Sequence, residues 1–139
     1  MNFANLKPEK CILTFGYGNR RNYEIFAQFL EKYNVKYVID VRKNPRAWSR
    51  RWYGDKIEEF CLSLNIKYLS QTSLGNTSGN EKWIPPDREE AEESLQKIAQ
   101  IACNHTVLLL CAEMDYHRCH RVAVANRLSE LVETEVINL

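Results

Sequence analysis

Reactive side chains are concentrated in one stretch of the chain, LLLCAEMDYHRCHR, which occupies positions 108 to 121. An apolar run typical of a buried strand ends at Cys111. Two acids, two histidines, two arginines and a second cysteine follow within the next ten residues. Ligands of open α/β domains bind at the carboxyl ends of the strands, so this stretch is where we expect chemistry.

Cys119 is the candidate nucleophile of this stretch. The apolar spacing after it indicates that a helix begins here, and free backbone amides, the helix dipole and neighbouring arginines would favour its thiolate form. His120 or His117 could then act as general acid or base, and Glu113 could orient an imidazole. Cys111 and Asp40 are expected beside this centre as further catalytic groups.

Groups that could bind an anion come from three parts of the chain. Arginine side chains attract phosphates, and the backbone of a glycine turn after the first strand could approach one closely. These candidates are Arg42, Arg50, Arg118, Arg121, Gly16, Tyr17 and Trp48. Together they predict a strand-end cleft for an anionic small molecule or a nucleotide, with a thiol-dependent catalytic site whose reaction the sequence does not name.

The loop at residues 42–53, RKNPRAWSRRWY, suggests an alternative function. Its five basic residues would attract phosphates, and Trp48, Trp52 and Tyr53 would offer surfaces on which bases stack. A non-catalytic module that binds RNA or DNA would use the same arginines without a reactive thiol. In a structural interpretation, the tryptophans are core anchors and the arginines pair with the acids of residues 87–93. A structural or partner-binding role is the third alternative.

Two further interpretations concern ion pairs and phosphate loops. Arg121 and Glu113 could form a structural ion pair that fastens the loop to the following helix. A phosphatase-like loop fits poorly, because six residues separate Cys111 from Arg118, one more than in a Cys-x5-Arg loop. Glu113 and Asp115 would also repel phosphate inside such a loop.

A metal site is a rival to the thiol hypothesis. Cys111, Glu113, Cys119 and His120 are all competent zinc ligands at close spacing. Adjacent Cys119 and His120 are expected to have difficulty converging on one ion, and no second cluster of ligands supports a tetrahedral site. The sequence therefore predicts neither a metal nor a cofactor.

Length and composition indicate a single domain over residues 1–139. A chain of 139 residues with 45% apolar and 27% charged residues can bury one core. Its five cysteines include no CxxC pair and no signal peptide precedes them, which predicts free thiols and a cytoplasmic location. A net charge of +1 excludes a strong overall attraction to nucleic acid or membranes, so recognition must come from local asymmetry.

Apolar runs alternate with segments of helical periodicity along the chain. The runs at 11–15, 36–41, 66–69, 106–111 and 135–139 read as strands. This alternation predicts an α/β three-layer sandwich, with a mostly parallel, roughly five-stranded sheet and helices on both faces. The polar segment at about 70–86 is rich in glycine and asparagine and predicts a mobile insertion that could act as a lid.

Several short motifs carry a resemblance to a known family. They are Thr14-Phe15-Gly16-Tyr17, Val38-Ile39-Asp40-Val41-Arg42 with Pro45 and Ser49-Arg50, Ile66-Lys67-Tyr68-Leu69 with Leu74-Gly75, and Leu109-Leu110-Cys111-Ala112-Glu113 with Cys119-His120-Arg121. Their order resembles the DUF488 family of small α/β proteins of unknown function, over nearly the whole chain. The Cys-x-Glu and Cys-His-Arg motifs are the most specific part.

The chain departs from the family pattern in two places. The spacing between Pro45 and Ser49 is longer than in the usual Pro-x-Ser-Arg motif, and Asn76 replaces a glycine that often follows Leu-Gly. The departures affect the basic loop and the insertion. The resemblance implies a shared site made from these motifs, and it implies no particular reaction.

Overall fold

The computed structural model describes residues 9–139, so the first eight residues of the predicted domain lie outside the described part. The strands are β1 (Ile12–Gly16), β2 (Tyr37–Asp40), β3 (Lys67–Ser70), β4 (Val107–Cys111) and β5 (Val136–Asn138). The α-helices are α1 (Glu24–Lys32), α2 (Gly54–Ser63), α3 (Arg88–Ala102) and α4 (Arg121–Val132). Between residues 9 and 139, no helix has the length and apolar character needed to span a membrane.

The five strands form one sheet in the order β3-β2-β4-β1-β5. Every pair of neighbours is parallel, so the predicted mostly parallel sheet is parallel throughout. All residues of the inner strands β1 and β4 are buried, whereas β3 and β5 form the partly exposed edges. Continuous apolar runs suit β1 and β4 because helices cover both faces of the sheet there.

Two hydrophobic cores lie on opposite faces of the sheet. Phe26 and Leu30 of α1 pack with Ile57 of α2 in one core. Residues of α3 and α4, including Leu95 and Leu128, pack in the other. The predicted three-layer arrangement is therefore confirmed. Since β2 leads to α2 on one face and its neighbour β4 leads to α4 on the other, a crevice opens at their carboxyl ends.

Helix α2 begins two residues earlier than it would with Asp55 as its cap. The pattern predicts Asp55 as the cap, but Asp55 lies in the first turn of the helix and its carboxylate accepts only the adjacent Lys56 N–H. Gly54 starts the helix because its N–H donates to the Pro45 carbonyl. A Cβ at Gly54 would lie 2.6 Å from the Tyr68 hydroxyl. This close approach fixes where α2 leaves the basic loop.

The polar insertion between β3 and α3 follows a defined path. Leu74 is fully buried, and the Trp83 indole donates to the Gly75 carbonyl at 3.0 Å. Asn76, which replaces the family glycine, accepts hydrogen bonds from the backbone N–H groups of Ser78 and Ile84. These bonds close the segment on itself. The predicted mobility of residues 70–86 stays a prediction.

Candidate active site

A cleft of about 1370 Å³ opens beyond the carboxyl ends of β1 and β4. It is lined by the turn after β1, the basic loop and the loop that joins β4 to α4. Five arginines line it: Arg20, Arg21, Arg46, Arg51 and Arg118. The cleft is therefore strongly cationic, although the chain as a whole is close to neutral.

Of these five arginines, only Arg118 was predicted from the sequence as a ligand-binding residue. Arg20 and Arg21 directly follow the turn Gly16 to Asn19, so their position after the first strand was a usable signal. Arg46 and Arg51 belong to the basic loop, but their sequence context does not distinguish them from Arg42. Which basic side chains face the cleft depends on how this loop folds over the sheet.

Cys111, Cys119 and His120 form a compact group at this cleft, which we call the cysteine-histidine cluster. All three residues are buried and line the cleft. The Cys119 Sγ lies 4.0 Å from Nδ1 of His120 and accepts the backbone N–H of Arg121 at 3.5 Å. Strand β4 positions the first cysteine, and the start of α4 positions the other two residues.

The orientation of His120 follows from its hydrogen bonds. Its Nε2 lies 3.0 Å from the Val41 carbonyl and 3.1 Å from the Leu74 carbonyl. A carbonyl oxygen can only accept, so Nε2 carries a proton and Nδ1 is the atom presented to Cys119. Glu113, the predicted orienting group, does not take this role, because its carboxylate accepts the backbone N–H of Asp115 at 3.1 Å.

The two thiols of the cluster have opposite acidities. The pKa of Cys119 is lowered, first of all by a hydrogen bond from Cys111. Hydrogen bonds from His120 and the Arg121 N–H and the positive charge of Arg121 lower it further. The same thiol-thiol hydrogen bond, together with burial, raises the pKa of Cys111. The arrangement therefore favours a thiolate on Cys119 and a proton on Cys111.

Arg121 is fully buried behind the cluster and gives independent support for this thiolate. Its guanidinium donates to the backbone carbonyls of Glu113 and Met114, and its Nε has no hydrogen-bond partner. The predicted ion pair with Glu113 is wrong, since the contact is to the carbonyl. Among residues 9–139, Arg121 has no carboxylate within ion-pair distance. A buried charge needs compensation, and a Cys119 thiolate would supply it.

Gly16 has a steric role at the end of β1. A Cβ there would lie 1.8 Å from the Glu113 oxygen and 2.9 Å from Nη1 of Arg121. The amides of Tyr17 and Gly18 donate to the Cys111 and Ala112 carbonyls, so they hold the loop after β4 and do not face a phosphate. The tight approach predicted for this turn is therefore made to the protein's own backbone, while the Tyr17 side chain lines the cleft.

Replacing Gly16 by alanine is expected to lower the free energy of unfolding by about 2–3 kcal/mol, because the Glu113 carbonyl and the Arg121 guanidinium must move aside. Urea denaturation measures this loss. Gly79→Ala is the control, since Gly79 has a positive φ but no heavy atom within 4 Å of an added Cβ. Equal losses in the two variants would contradict the steric role of Gly16.

Arg42 and Asp40 form a buried ion pair that lies outside the lining of the cleft. Arg42 is 5% exposed and Asp40 is fully buried, with Nη2 and Oδ2 separated by 2.6 Å. Nη1 of Arg42 also donates to the Tyr17 hydroxyl and to the Trp52 carbonyl, and Tyr68 donates to Asp40. All three guanidinium nitrogens are thus engaged within the protein. This pair fastens the basic loop to the sheet and leaves Arg42 little capacity for a ligand.

The two tryptophans of the basic loop have different environments. Trp52 is 1% exposed and stacks on Tyr17, with ring centroids 4.7 Å apart. Trp48 is 106% exposed and stands at the cleft. The core-anchor prediction therefore holds for Trp52 and is wrong for Trp48. Within residues 9–139 no ion pair joins the loop to α3, where Glu92 pairs with Arg127.

Arg50 lies beside the cleft in a second hollow of about 520 Å³. This hollow shares Arg51 with the cleft and is also lined by Lys56, Phe60 and Tyr23. Of the predicted ligand-binding residues, Tyr17, Trp48 and Arg118 are brought together at the cleft, and Arg50 is their neighbour in the second hollow.

The cysteine-histidine cluster has the composition of a metal site. The ligand atoms of Cys111, Cys119 and His120 lie within 4.8 Å of one another, so the expectation that adjacent Cys119 and His120 have difficulty converging on one ion is wrong. Cys119 is extended and His120 is helical, which turns both side chains toward one point. Two thiolates would neutralise a bound Zn²⁺ and leave Arg121 without a counterion, so charge balance favours a metal-free thiolate.

Comparison with known proteins identifies one family. The family described as "Domain of unknown function DUF488" matches residues 22–128, a range that includes the basic loop and the cysteine-histidine cluster and begins after Thr14 to Tyr17. Neither a curated protein nor a solved structure matches the chain. Since the match covers most of the sequence, the chain belongs to the DUF488 family.

Proposed function

We propose that the protein is a thiol-dependent enzyme that acts on an anionic, nucleotide-like substrate, with Cys119 as the nucleophile. The observation that carries this proposal is the position of Cys119 at an arginine-lined cleft, between a hydrogen-bonding thiol, an oriented imidazole and the buried charge of Arg121. A thiolate is the reactive form of cysteine, and cationic surroundings are what stabilise it.

The cluster supports a two-step reaction. In the starting state, Nδ1 of His120 holds the proton of the Cys119 thiol. The Sγ forms a bond with an electrophilic atom of the substrate while the bond to the leaving group breaks, and the proton on Nδ1 goes to the leaving group. Water then attacks the covalent intermediate as Nδ1 accepts its proton, which restores the thiolate. Cys111 and Arg121 act through Cys119 by stabilising its negative charge.

The cleft suggests the kind of substrate. Its five arginines attract negative charge, and Glu113 is the one acidic residue among the described residues that line it. The exposed Trp48 and the half-buried Tyr53 add aromatic surface to the same lining. A cationic, aromatic cleft suits a molecule with both a phosphate and a planar base.

Two alkylating reagents of different charge test the proposal within one molecule. The measured quantity is the ratio of the alkylation rate with anionic iodoacetate to the rate with neutral iodoacetamide. This ratio is expected to be about tenfold higher at Cys119 than at Cys103, because arginines concentrate anions at the cleft. Cys103 is exposed at the end of α3 and serves as the internal reference. Peptide mass spectrometry gives both rates.

Addition of AMP should protect Cys119 and leave Cys103 unaffected. Arg118→Gln is expected to reduce the preference for iodoacetate, while Lys97→Gln, a charge change on the exposed face of α3, should leave it intact. Equal reagent ratios at the two cysteines, or one equivalent of zinc lost on Cys111→Ser, would overturn the proposal.

A non-catalytic nucleic-acid-binding module is the second candidate. The observation that favours it is the exposed Trp48 beside the arginines of the basic loop. Such a module would bind its ligand equally well after Cys119→Ser, and it would need no thiolate at Cys119 near pH 6. The pH dependence of the iodoacetamide rate at Cys119 therefore separates the two functions.

A further inference from the structure

We infer that the substrate is a single-stranded nucleic acid, bound along the cleft and the second hollow with one nucleotide presented to Cys119. This inference rests on the proposed function and specifies its substrate class. Four features of the described residues carry it: the size of the binding surface, its positive charge, the exposure of Trp48 and the burial of Cys119.

The binding surface is larger than a mononucleotide needs. The cleft alone measures about 1370 Å³, and the second hollow adds about 520 Å³. Sites for small molecules and cofactors typically measure about 300–1,000 Å³. Arg51 lines both spaces, so they adjoin at this side chain, and a chain of linked nucleotides could extend from one to the other.

Positive charge continues from the cleft into the second hollow. The cleft holds five arginines, and the second hollow adds Arg50 and Lys56. Glu113 and Glu59 are the acidic residues that line the two spaces among residues 9–139. The two spaces thus hold seven basic residues and two acidic ones, although the whole chain has a net charge of only +1. Such a local excess of positive charge favours binding of a phosphate backbone.

Trp48 has no structural explanation within the described fold. Its side chain is 106% exposed, whereas Trp52 four residues later is buried against Tyr17. A fully exposed tryptophan between arginines loses apolar burial, but its ring is free to stack on a base. Tyr23 and Phe60 offer further aromatic surface in the second hollow.

The position of the nucleophile favours a single strand over a duplex. Cys119 is 5% exposed, so its target atom must enter the cleft. A base or sugar within a duplex would first have to leave the stack, whereas a single strand has free bases at the outset. A base that stacks on Trp48 must likewise be free of the base stack of a duplex.

Fluorescence anisotropy with a labelled oligothymidine of about 12 nucleotides tests this inference. Affinity should fall with salt, Trp48→Ala should weaken binding at least about fivefold, and Arg50→Gln should reduce the salt slope by about 0.7. Lys97→Gln is the matched control, because Lys97 lines neither hollow. Blunt duplex of the same length should bind more weakly.

The oligothymidine should also protect Cys119 from iodoacetate at a far lower concentration than AMP. Equal protection by AMP, binding insensitive to Trp48→Ala, or preference for the duplex would overturn the single-strand inference. The proposed function would survive these results as long as iodoacetamide still alkylates Cys119 faster than Cys103 at about pH 6. Loss of that difference together with retained oligonucleotide binding would instead remove the thiol chemistry.

Discussion

At about pH 6, iodoacetamide is expected to alkylate Cys119 at least ten times faster than Cys103. An ordinary thiol is then less than about 1% thiolate, whereas the lowered pKa of Cys119 keeps it deprotonated. The gain is smaller than the ratio of thiolate fractions, since a thiolate of lower pKa is a weaker nucleophile. The rate at Cys119 should stay nearly constant up to pH 8, while the rate at Cys103 climbs.

Two substitutions of Cys111 test the cause of this reactivity. Cys111→Ser keeps a hydrogen-bond donor beside Cys119, so the rate plateau at about pH 6 should persist. Cys111→Ala removes the donor, so the pKa of Cys119 should rise and the rate at pH 6 should fall. The same pH profile at Cys119 and Cys103 in the unmodified protein would contradict a thiolate at the cluster.

Arg42→Met is expected to lower the free energy of unfolding by about 3–5 kcal/mol. The substitution leaves Asp40 fully buried without a cation and removes the bonds to Tyr17 and Trp52 that hold the basic loop. Chemical denaturation monitored by circular dichroism measures the loss. Because the loop carries Arg46, Trp48 and other parts of the cleft, the preference of iodoacetate for Cys119 should fall as well.

The double variant Asp40→Asn with Arg42→Met should recover part of the lost stability, since no unpaired charge remains buried. Arg127→Met is the surface control. Its ion pair with Glu92 is well exposed, and the denaturation midpoint should barely change. A similar small change for Arg42→Met would show that the buried pair is not what fastens the loop.

The strands and helices could be predicted from the sequence because their signals are local. Continuous apolar runs marked the buried strands β1 and β4, and helical spacing after Cys119 marked α4. The alternation of strands and helices along the chain then implied a parallel sheet. It also placed the stretch at 108–121, with its reactive side chains, at the end of a strand. The start of α2 was less accurate: Asp55 had the right type for a cap, but the helix begins at Gly54, whose N–H donates to the Pro45 carbonyl.

The sequence could not show which of several residues of the same type is buried and which faces the cleft. Arg42 and Arg118 both follow strands, yet Arg42 is buried in an ion pair and Arg118 faces the cleft. Trp48 and Trp52 stand in the same loop, and only Trp52 is buried. Burial is set by segments that pack over each residue, and these come from distant parts of the chain.

The sequence by itself determined the fold class, the family resemblance and the stretch that holds the candidate nucleophile, because hydrophobic periodicity and short motifs are properties of neighbouring residues. Only the tertiary structure decided which groups surround that thiol. His120 is oriented by carbonyls 79 and 46 residues away in the chain, and Arg121 is buried without a carboxylate among the described residues. Hydrogen-bond partners and charge compensation depend on distances in space, which spacing along the chain does not encode.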